Sequence, residues 1–307
     1  MKIVFMGTPS IAKMMLEALL MHHEVIKVVT QPDKRVGRKK EIVYSSVKQC
    51  AIENGIEVLQ PNKISEIYEE LKALDCDLIV TCAYGQKIPM DILNLPKFGS
   101  INVHASLLPK LRGGAPIHYA IMQGHEYSGV SIMRMSEELD AGDYMSQVKV
   151  KIEDDDTMGS LYDKLANAGA LVLLDSVQKI AENKAVFIAQ DESEVSYAPT
   201  IKKEDEKISF KQDVKKAYNH ARALIPTPCG YGVIDGKKIK IHALTYEYCN
   251  HEHELGKVIG LENKMIKVAC DQGYLYLKEV QMEGKKKMDA HSFYMGSGKS
   301  LVNKCFE

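Results

Sequence analysis

The stretch Ile101-Asn102-Val103-His104 puts a carboxamide and an imidazole two residues apart at the end of an apolar run. Residues two apart on a strand share a face, so both side chains can converge on one small group beyond the strand end. An Asn amide can donate to a carbonyl oxygen. A His can donate to the same oxygen as it gains charge, or shuttle a proton near neutral pH. A carboxylate to orient or charge the ring would complete the set, and Asp140 in the turn-like stretch "EELDAGDY" is the candidate. Carboxylate, His and Asn without a nucleophilic Ser or Cys fit acyl transfer with no covalent enzyme intermediate. Ser106 could be proposed as a nucleophile, but the G-x-S-x-G turn is absent. A structural reading competes: Asn102 and His104 cap a strand, and Asp140 is an ordinary turn residue. On these residues alone the two readings are level.

The elements that must position such a set alternate along the first half of the chain. "KIVFMG", "EVIKVVTQ", "EVLQP", "CDLIVTCAYG" and "GSINVHAS" read as strands. "SIAKMMLEALL", with Ser10 as N-cap, "SSVKQCAIENG" and "ISEIYEELKAL" read as helices between them. That alternation predicts βαβ units and a mostly parallel, Rossmann-like α/β sheet. Ligands of such sheets bind beyond the carboxyl ends of the strands, where Gly7-Thr8-Pro9, Ala83-Tyr84-Gly85 and the Asn102/His104 pair all fall. The pattern continues with a helix near 116–123, strands near 129–134 and 144–151, and a long helix over 157–183. Residues 189–210 are polar and strongly charged and read as a linker with little core. A helix over 213–225 and several short strands with hairpin turns at Asp235-Gly236 and Glu262-Asn263 predict a small β-barrel or sandwich.

The 307 residues suggest about two domains. A net charge of −1 excludes a protein that coats nucleic acid along its whole length. The charge is uneven: residues 201–307 carry 19 Lys and Arg against 14 Asp and Glu, while the rest has 21 against 27. Charge alone is as well explained by a solvated lysine-rich surface. Seven cysteines are dispersed without C-x-x-C or zinc spacing, which fits reduced thiols. No signal-peptide pattern precedes the first strand and no apolar run reaches membrane-span length. A cytoplasmic protein is expected.

Several patterns carry little. "GSGKS" at 296–300 has Phe293 where a phosphate loop needs glycine, and "MGTPSIA" lacks the dinucleotide fingerprint. "NHEHE" reads as an exposed hairpin loop rather than a metal tract. Asp154-Asp155-Asp156 reads as the polar approach to a helix N-terminus.

"INVHASLLPKLRGGAPI" together with "MSEELDAGD" resembles the formyltransferases that use 10-formyltetrahydrofolate. "MKIVFMGTPSIA", "VVTQPDKRVGR", "VTCAYGQKIP", "YAPTIKKEDEKISF", "RALIPTP" and "EGKKKMDAHSF" extend the likeness from end to end, and together they resemble the methionyl-tRNA formyltransferase family. The resemblance implies a formyltransferase domain over 1–188, a linker over 189–205 and an OB-like β-barrel over 206–307 that binds tRNA. It implies formyl transfer from the folate to the amino group of methionyl initiator tRNA. Asn102 and protonated His104 would hold the tetrahedral oxyanion. Asp140 would keep His104 charged and help remove the amine proton. Ser106-Leu107-Leu108-Pro109 would line the folate pocket, with Tyr84 and Gln86 of "AYGQKIP" on another wall, where backbone groups read the pterin edge. No metal is implied.

A basic loop over 33–48 matches the family insertion that reaches the tRNA acceptor stem, and Arg38 falls on its usual arginine, with Lys39 and Lys40 beside it. Lys202 and Lys203 of the linker would lie along the RNA. The loop departs from the family at Lys39, Glu41, Tyr44 and Ser46, and the tryptophans common near Phe210 and in "RALIPTP" are missing. Three other functions compete. One is an enzyme on the same core that formylates glycinamide ribonucleotide or an amino sugar, which would not need the basic loop or the basic C-terminal third. Another is a non-catalytic RNA- or folate-binding protein, which would not need the intact polar set. The third is a folate-hydrolysing domain. A monomer is expected, because no self-complementary apolar seam stands out.

Overall fold

The computed structural model describes residues 1–36 and 41–307. They form two compact units: Met1–Gly113 with Ser128–Val150 and Tyr162–Tyr197, and Gly114–Tyr127 with Lys151–Leu161 and Ala198–Glu307.

In the first unit, β1 (Lys2–Gly7), α1 (Ser10–Leu20), β2 (Glu24–Val29), α2 (Ser46–Glu53) and β5 (Val58–Leu59) follow the expected order, with a small antiparallel hairpin, β3 (Lys34–Val36) and β4 (Glu41–Val43), between β2 and α2. Then come α3 (Tyr68–Lys72), β6 (Leu78–Cys82), α4 (Met90–Leu93) and β7 (Ser100–His104). The chain then passes through α5 (Pro116–Met122), which belongs to the second unit, to β8 (Tyr127–Arg134), β9 (Tyr144–Lys151) and the long α6 (Met158–Ala181). The seven-stranded sheet has the order β5-β2-β1-β6-β7-β8-β9. Pairing is parallel from β5 through β7, and β8 runs antiparallel to β7. The central strands are apolar on both faces, as covered parallel strands must be: β6 is buried along its whole length. The amphipathic α1 buries Ile11, Ala12, Met15, Leu16 and Leu19 at helical spacing.

Two local expectations change. Ser10 is not the N-cap of α1: Pro9 holds that position without a side-chain cap, and the Ser10 hydroxyl pairs with the Tyr162 hydroxyl at 2.9 Å. The helix expected over "ISEIYEELKAL" splits into a 3-10 turn, Ile64–Ile67, and the short α3. The Ile64 N–H donates to Gln86 Oε1 at 2.9 Å, and Ile67 at φ −107°, ψ 16° breaks the helical path.

The second unit contains α7 (Val214–Ala223), capped by Asp213, which accepts from the Lys215 and Lys216 N–H groups. It packs on an antiparallel sheet of β10 (Tyr231–Ile234), β11 (Lys237–Tyr248), β12 (Val258–Glu262), β13 (Met265–Cys270) and β14 (Gly273–Met282), in the order β10-β11-β14-β13-β12, with β15 (Met288–Asp289) beside β14 and α8 (Ala290–Gly296) after it. The chain end joins the two edge strands. Val258 N–H donates to the Lys304 carbonyl, and Glu307 N–H to Val233 on β10. Phe306 then stacks on Phe210 in the core, with ring centroids 4.3 Å apart. The first hairpin turns at Asp235-Gly236, both at positive φ. The second turns at Asn263-Lys264, one residue later than expected, because Glu262 still pairs with Met265.

The unit boundary also differs from the 189–205 linker. The second unit starts at Ala198 and includes 114–127 and 151–161. The reason is bonding to α7: α5 packs on it, Arg222 donates to the Glu153 and Asp156 carbonyls, and Lys215 and Tyr246 both bond Asp154.

Candidate active site

The site is built where β6 and β7 end, on the carboxyl edge of the sheet. The chain order reverses between β1 and β6, and such an edge is where open α/β sheets bind ligands. Asn102 and His104 project from one face of β7, as their spacing predicts. In register, Asn102 stands between Thr81 and Met133, and His104 opposite Ser131. Asn102 is half-buried, while His104 and Asp140 are 6% and 9% exposed, so Asn102 offers a ligand most of the surface of the three.

The structure brings Asp140 to His104, with Oδ2 3.7 Å from Nδ1. The same carboxylate oxygen accepts from the Gly113 N–H at 2.9 Å. The other ring nitrogen, Nε2, lies 3.0 Å from the Leu111 carbonyl. A carbonyl only accepts, so Nε2 carries a hydrogen. A second proton on Nδ1 would face Asp140 as an ion pair. Both ring nitrogens therefore already face protein groups. Among the described residues the Asn102 amide is held on one side only: its Oδ1 accepts from the Thr81 hydroxyl at 2.7 Å.

The turn carrying Asp140 is tight. Asp140 has φ +55°, a region that Asp and Asn tolerate better than most residues. Gly142 follows where any Cβ would lie 1.9 Å from the Arg134 carbonyl. Gln190 fastens this turn, donating from Nε2 to the Asp140 carbonyl at 2.8 Å and the Gly142 carbonyl at 2.7 Å. Its Oε1 accepts from Arg112 Nε at 3.0 Å, and the Arg112 guanidinium also pairs with Glu192. Arg112 is only 2% exposed. Two more bonds, Arg112 N–H to the Ser196 carbonyl and Leu111 N–H to Ser196 Oγ, make 190–196 a strap over the site loops rather than part of a free linker.

The Ser106-Leu107-Leu108-Pro109 loop is also fixed from below. Ser131 Oγ donates to the Ser106 carbonyl at 2.6 Å and accepts from Leu108 N–H, while Gln147 Nε2 donates to the Leu108 carbonyl at 2.8 Å. Ser106 and Leu108 are buried, which leaves Leu107 and Pro109 half-buried and available for contact. Ser106 Oγ donates to the Lys110 carbonyl at 2.6 Å.

Tyr84 and Gln86 turn their side chains into the protein. Tyr84 joins the apolar cluster of Val4, Met6 and Val29. Burial pushes its phenol up to about 12, and its hydroxyl has no hydrogen-bond partner among the described residues. Gln86 is spent on Ile64 N–H and the Pro61 carbonyl. The exposed residues of this loop are Ala83, Gly85, Lys87 and Pro89. Among the basic candidates, Arg38, Lys39 and Lys40 lie outside the described residues. The base of their loop is anchored: Lys48 pairs with Asp33 at 2.6 Å, bonds Gln60 at 2.7 Å and sits 4.0 Å over the Tyr44 ring. Lys202 and Lys203 are exposed in the second unit.

Sequence reasoning missed Thr81, Arg112 as a buried anchor, and Gln190. Thr81 had one visible signal, a lone hydroxyl in the apolar run "DLIVTC". Gln190 had none, because its bonds are to backbone fifty residues away.

Comparison with known proteins fits this geometry. A formyl transferase family model matches residues 1–177, and a formyl transferase C-terminal domain model matches 200–298. Among solved structures, an N-formyltransferase from Helicobacter canadensis, in complex with folinic acid and dTDP-3-aminofucose, superposes with a TM-score of 0.70 at 21% identity, over 90% of this chain and 98% of that one. HypX from Aquifex aeolicus, in complex with tetrahydrofolic acid, gives 0.68 at 18% identity, over 98% of this chain and 48% of that one. At that identity both show the shared fold. Curated methionyl-tRNA formyltransferases are much nearer: 46% identical in Bacillus licheniformis, over 97% of this chain and 95% of the relative, and 44% identical in Listeria welshimeri, over 98% and 97%. With relatives this similar along nearly the full length of both chains, and both domain models matched in order, the chain belongs to the methionyl-tRNA formyltransferase family.

Proposed function

We propose that this chain transfers the formyl group of 10-formyltetrahydrofolate to the amino group of methionyl initiator tRNA, and that Asn102, His104 and Asp140 carry the chemistry. The observation that supports this reading most is the pairing of His104 with Asp140 at the end of β7, with the half-buried Asn102 two residues before His104 on the same strand. As the amine adds to the formyl carbon, the formyl oxygen gains charge. Asn102 Nδ2 can donate to it without first giving up another bond. His104 can join only when its Nε2 hydrogen leaves the Leu111 carbonyl. Asn102 is then the preformed half of the oxyanion site and His104 the half that closes during reaction. The amine must lose a proton and the departing folate nitrogen must gain one. His104, backed by Asp140, is placed to carry that proton, directly or through water.

Leu107 and Pro109 would pack on the folate, and backbone at Ala83 and Gly85 would read its pterin edge. Arg38, Lys39, Lys40, Lys202 and Lys203 would contact RNA phosphates. On this reading the enzyme works in the cytoplasm as a monomer.

The test is formyl transfer to methionyl initiator tRNA and to glycinamide ribonucleotide as rival acceptors, with His104→Ala beside the wild type. The expected result is transfer to the tRNA alone, reduced by about 10²–10³ in kcat by the substitution. In the same assay, replacing Lys202 and Lys203 by Ala should raise the tRNA KM and weaken its salt dependence, leaving the folate KM unchanged. Transfer to the nucleotide, or a fully active His104→Ala enzyme, would sink the proposal.

A further inference from the structure

Asn102 can serve a developing oxyanion only if its amide is turned the right way. A carboxamide has a donating end and an accepting end of nearly the same shape, so something must choose between them. Thr81 is placed to do so. It pairs with Asn102 across the β6–β7 ladder, is 2% exposed, and has its Oγ 2.7 Å from Asn102 Oδ1. The same hydroxyl has two other neighbours, the Ile101 carbonyl and the Met135 sulfur, each at 3.3 Å.

A hydroxyl has one proton to give. Hydrogen bonds between oxygens peak near 2.7–2.8 Å and end near 3.0 Å, whereas N–H···O bonds peak near 2.9–3.0 Å. The short contact is therefore the O–H···O bond to Asn102, and the contact to Ile101 is too long to compete for the proton. With Oδ1 taken by Thr81, Nδ2 is left on the other side of the amide. Turned over, the amide would present Oδ1, a lone-pair oxygen, to an oxygen that is gaining negative charge.

We propose that Thr81 is a positioning residue for formyl transfer: its hydroxyl holds the Asn102 amide with Nδ2 directed at the formyl oxygen. The inference rests on the reading of Asn102 given above. Thr81 touches no substrate and acts only through Asn102.

The test is a double-mutant cycle on the full chain, with steady-state formyl transfer to methionyl initiator tRNA as readout. Thr81→Val keeps the shape and removes the hydroxyl. It should lower kcat by about tenfold, less than the 10²–10³ expected for losing the Asn102 donor outright, with both KM values within about twofold of wild type. Thr81→Ser should restore most of the rate. In an Asn102→Ala background, Thr81→Val should cost nothing further. If valine lowers the melting temperature, Thr81→Cys, a weak donor of similar size, carries the same comparison. An equal loss in both backgrounds, or no rescue by serine, would reduce Thr81 to a packing residue and overturn the inference. An impaired Asn102→Ala enzyme beside an unaffected Thr81→Val enzyme also overturns it, while leaving the reading of the site intact. A fully active Asn102→Ala enzyme sinks the reading of the site and the inference with it.

Discussion

Around Asn102, His104 and Asp140, the loops are held by hydrogen bonds to backbone. Thr81, Ser131, Gln147 and Gln190 each reach across from another element to fix an amide, a carbonyl or a turn. Around Phe210 and Phe306, the contacts are ring faces and aliphatic side chains. Ile208, Val214, Ile239, Leu275 and Val280 close a core that is almost free of polar groups. The difference teaches what each region is built to preserve. Apolar packing fixes volume and is nearly indifferent to direction. Hydrogen bonds fix direction, which a reacting oxygen needs and a folded sheet does not. Substitutions in the two regions should therefore be felt in different measurements.

The largest expected effect is on the apolar side. Phe210→Ala removes a fully buried ring from the stack with Phe306 and should destabilise the protein by about 3–5 kcal/mol. Urea unfolding measures this, and kcat per folded molecule should stay near wild type. A matching fall in kcat would mean that the packing of the second unit also sets direction at the strand end, and the contrast would fail.

The next effect lies on the polar side. Gln190→Leu leaves the Asp140 and Gly142 carbonyls and Arg112 Nε without their partner. It should cost about 1–3 kcal/mol of local stability and reduce kcat by more than its change in melting temperature suggests. Hydrogen exchange at the Arg112 and Gly113 N–H groups would show the loosening. Unchanged kcat would make the strap a device of stability alone.

The smallest effect tests whether polar contacts in the second unit matter at all. The Lys215 ammonium bonded to Asp154 holds that carboxyl below its ordinary value of 3.8; partial burial opposes this and the Tyr246 hydroxyl adds to it. A depressed folded value means the stabilisation is complete above the unfolded value and is lost as pH falls through the folded one. Asp154 is 69% exposed, so screening limits the contribution to at most about 1 kcal/mol. Melting curves of wild type and Asp154→Asn should differ slightly near pH 6 and converge as the pH falls below the ordinary carboxyl value of 3.8. A gap that widens in acid would contradict the sign.

Much of the candidate site was legible in the sequence because its signals were local. Asn102 and His104 stood out as polar residues at period two in an apolar strand, and Asp140 lay among small and acidic turn residues. The alternation of apolar runs and helical spacings also gave the parallel sheet. Other features depended on partners far along the chain. Thr81 looks like any β-branched strand residue until β7 is placed beside it. The side chain of Tyr84 turned inward because the strand alternation ends at Ala83, where φ is +45°. Residues 190–196 have linker composition, and composition reports exposure without reporting which carbonyl a distant N–H will find. Pro9 holds the cap position expected of Ser10, whose hydroxyl instead pairs with Tyr162, a residue 152 positions away.

The bond from the Arg112 N–H to the Ser196 carbonyl involves only main-chain atoms. It sets almost no demand on which side chain stands at position 196, beyond the hydroxyl that meets Leu111 N–H. It does set a demand on distance along the chain, since Gln190 must reach Asp140 while the carbonyl at 196 reaches Arg112. A single added or deleted residue between them would pull one end off its partner. This segment can therefore drift in composition yet should resist any change in length, which is the reverse of how a tether between domains evolves.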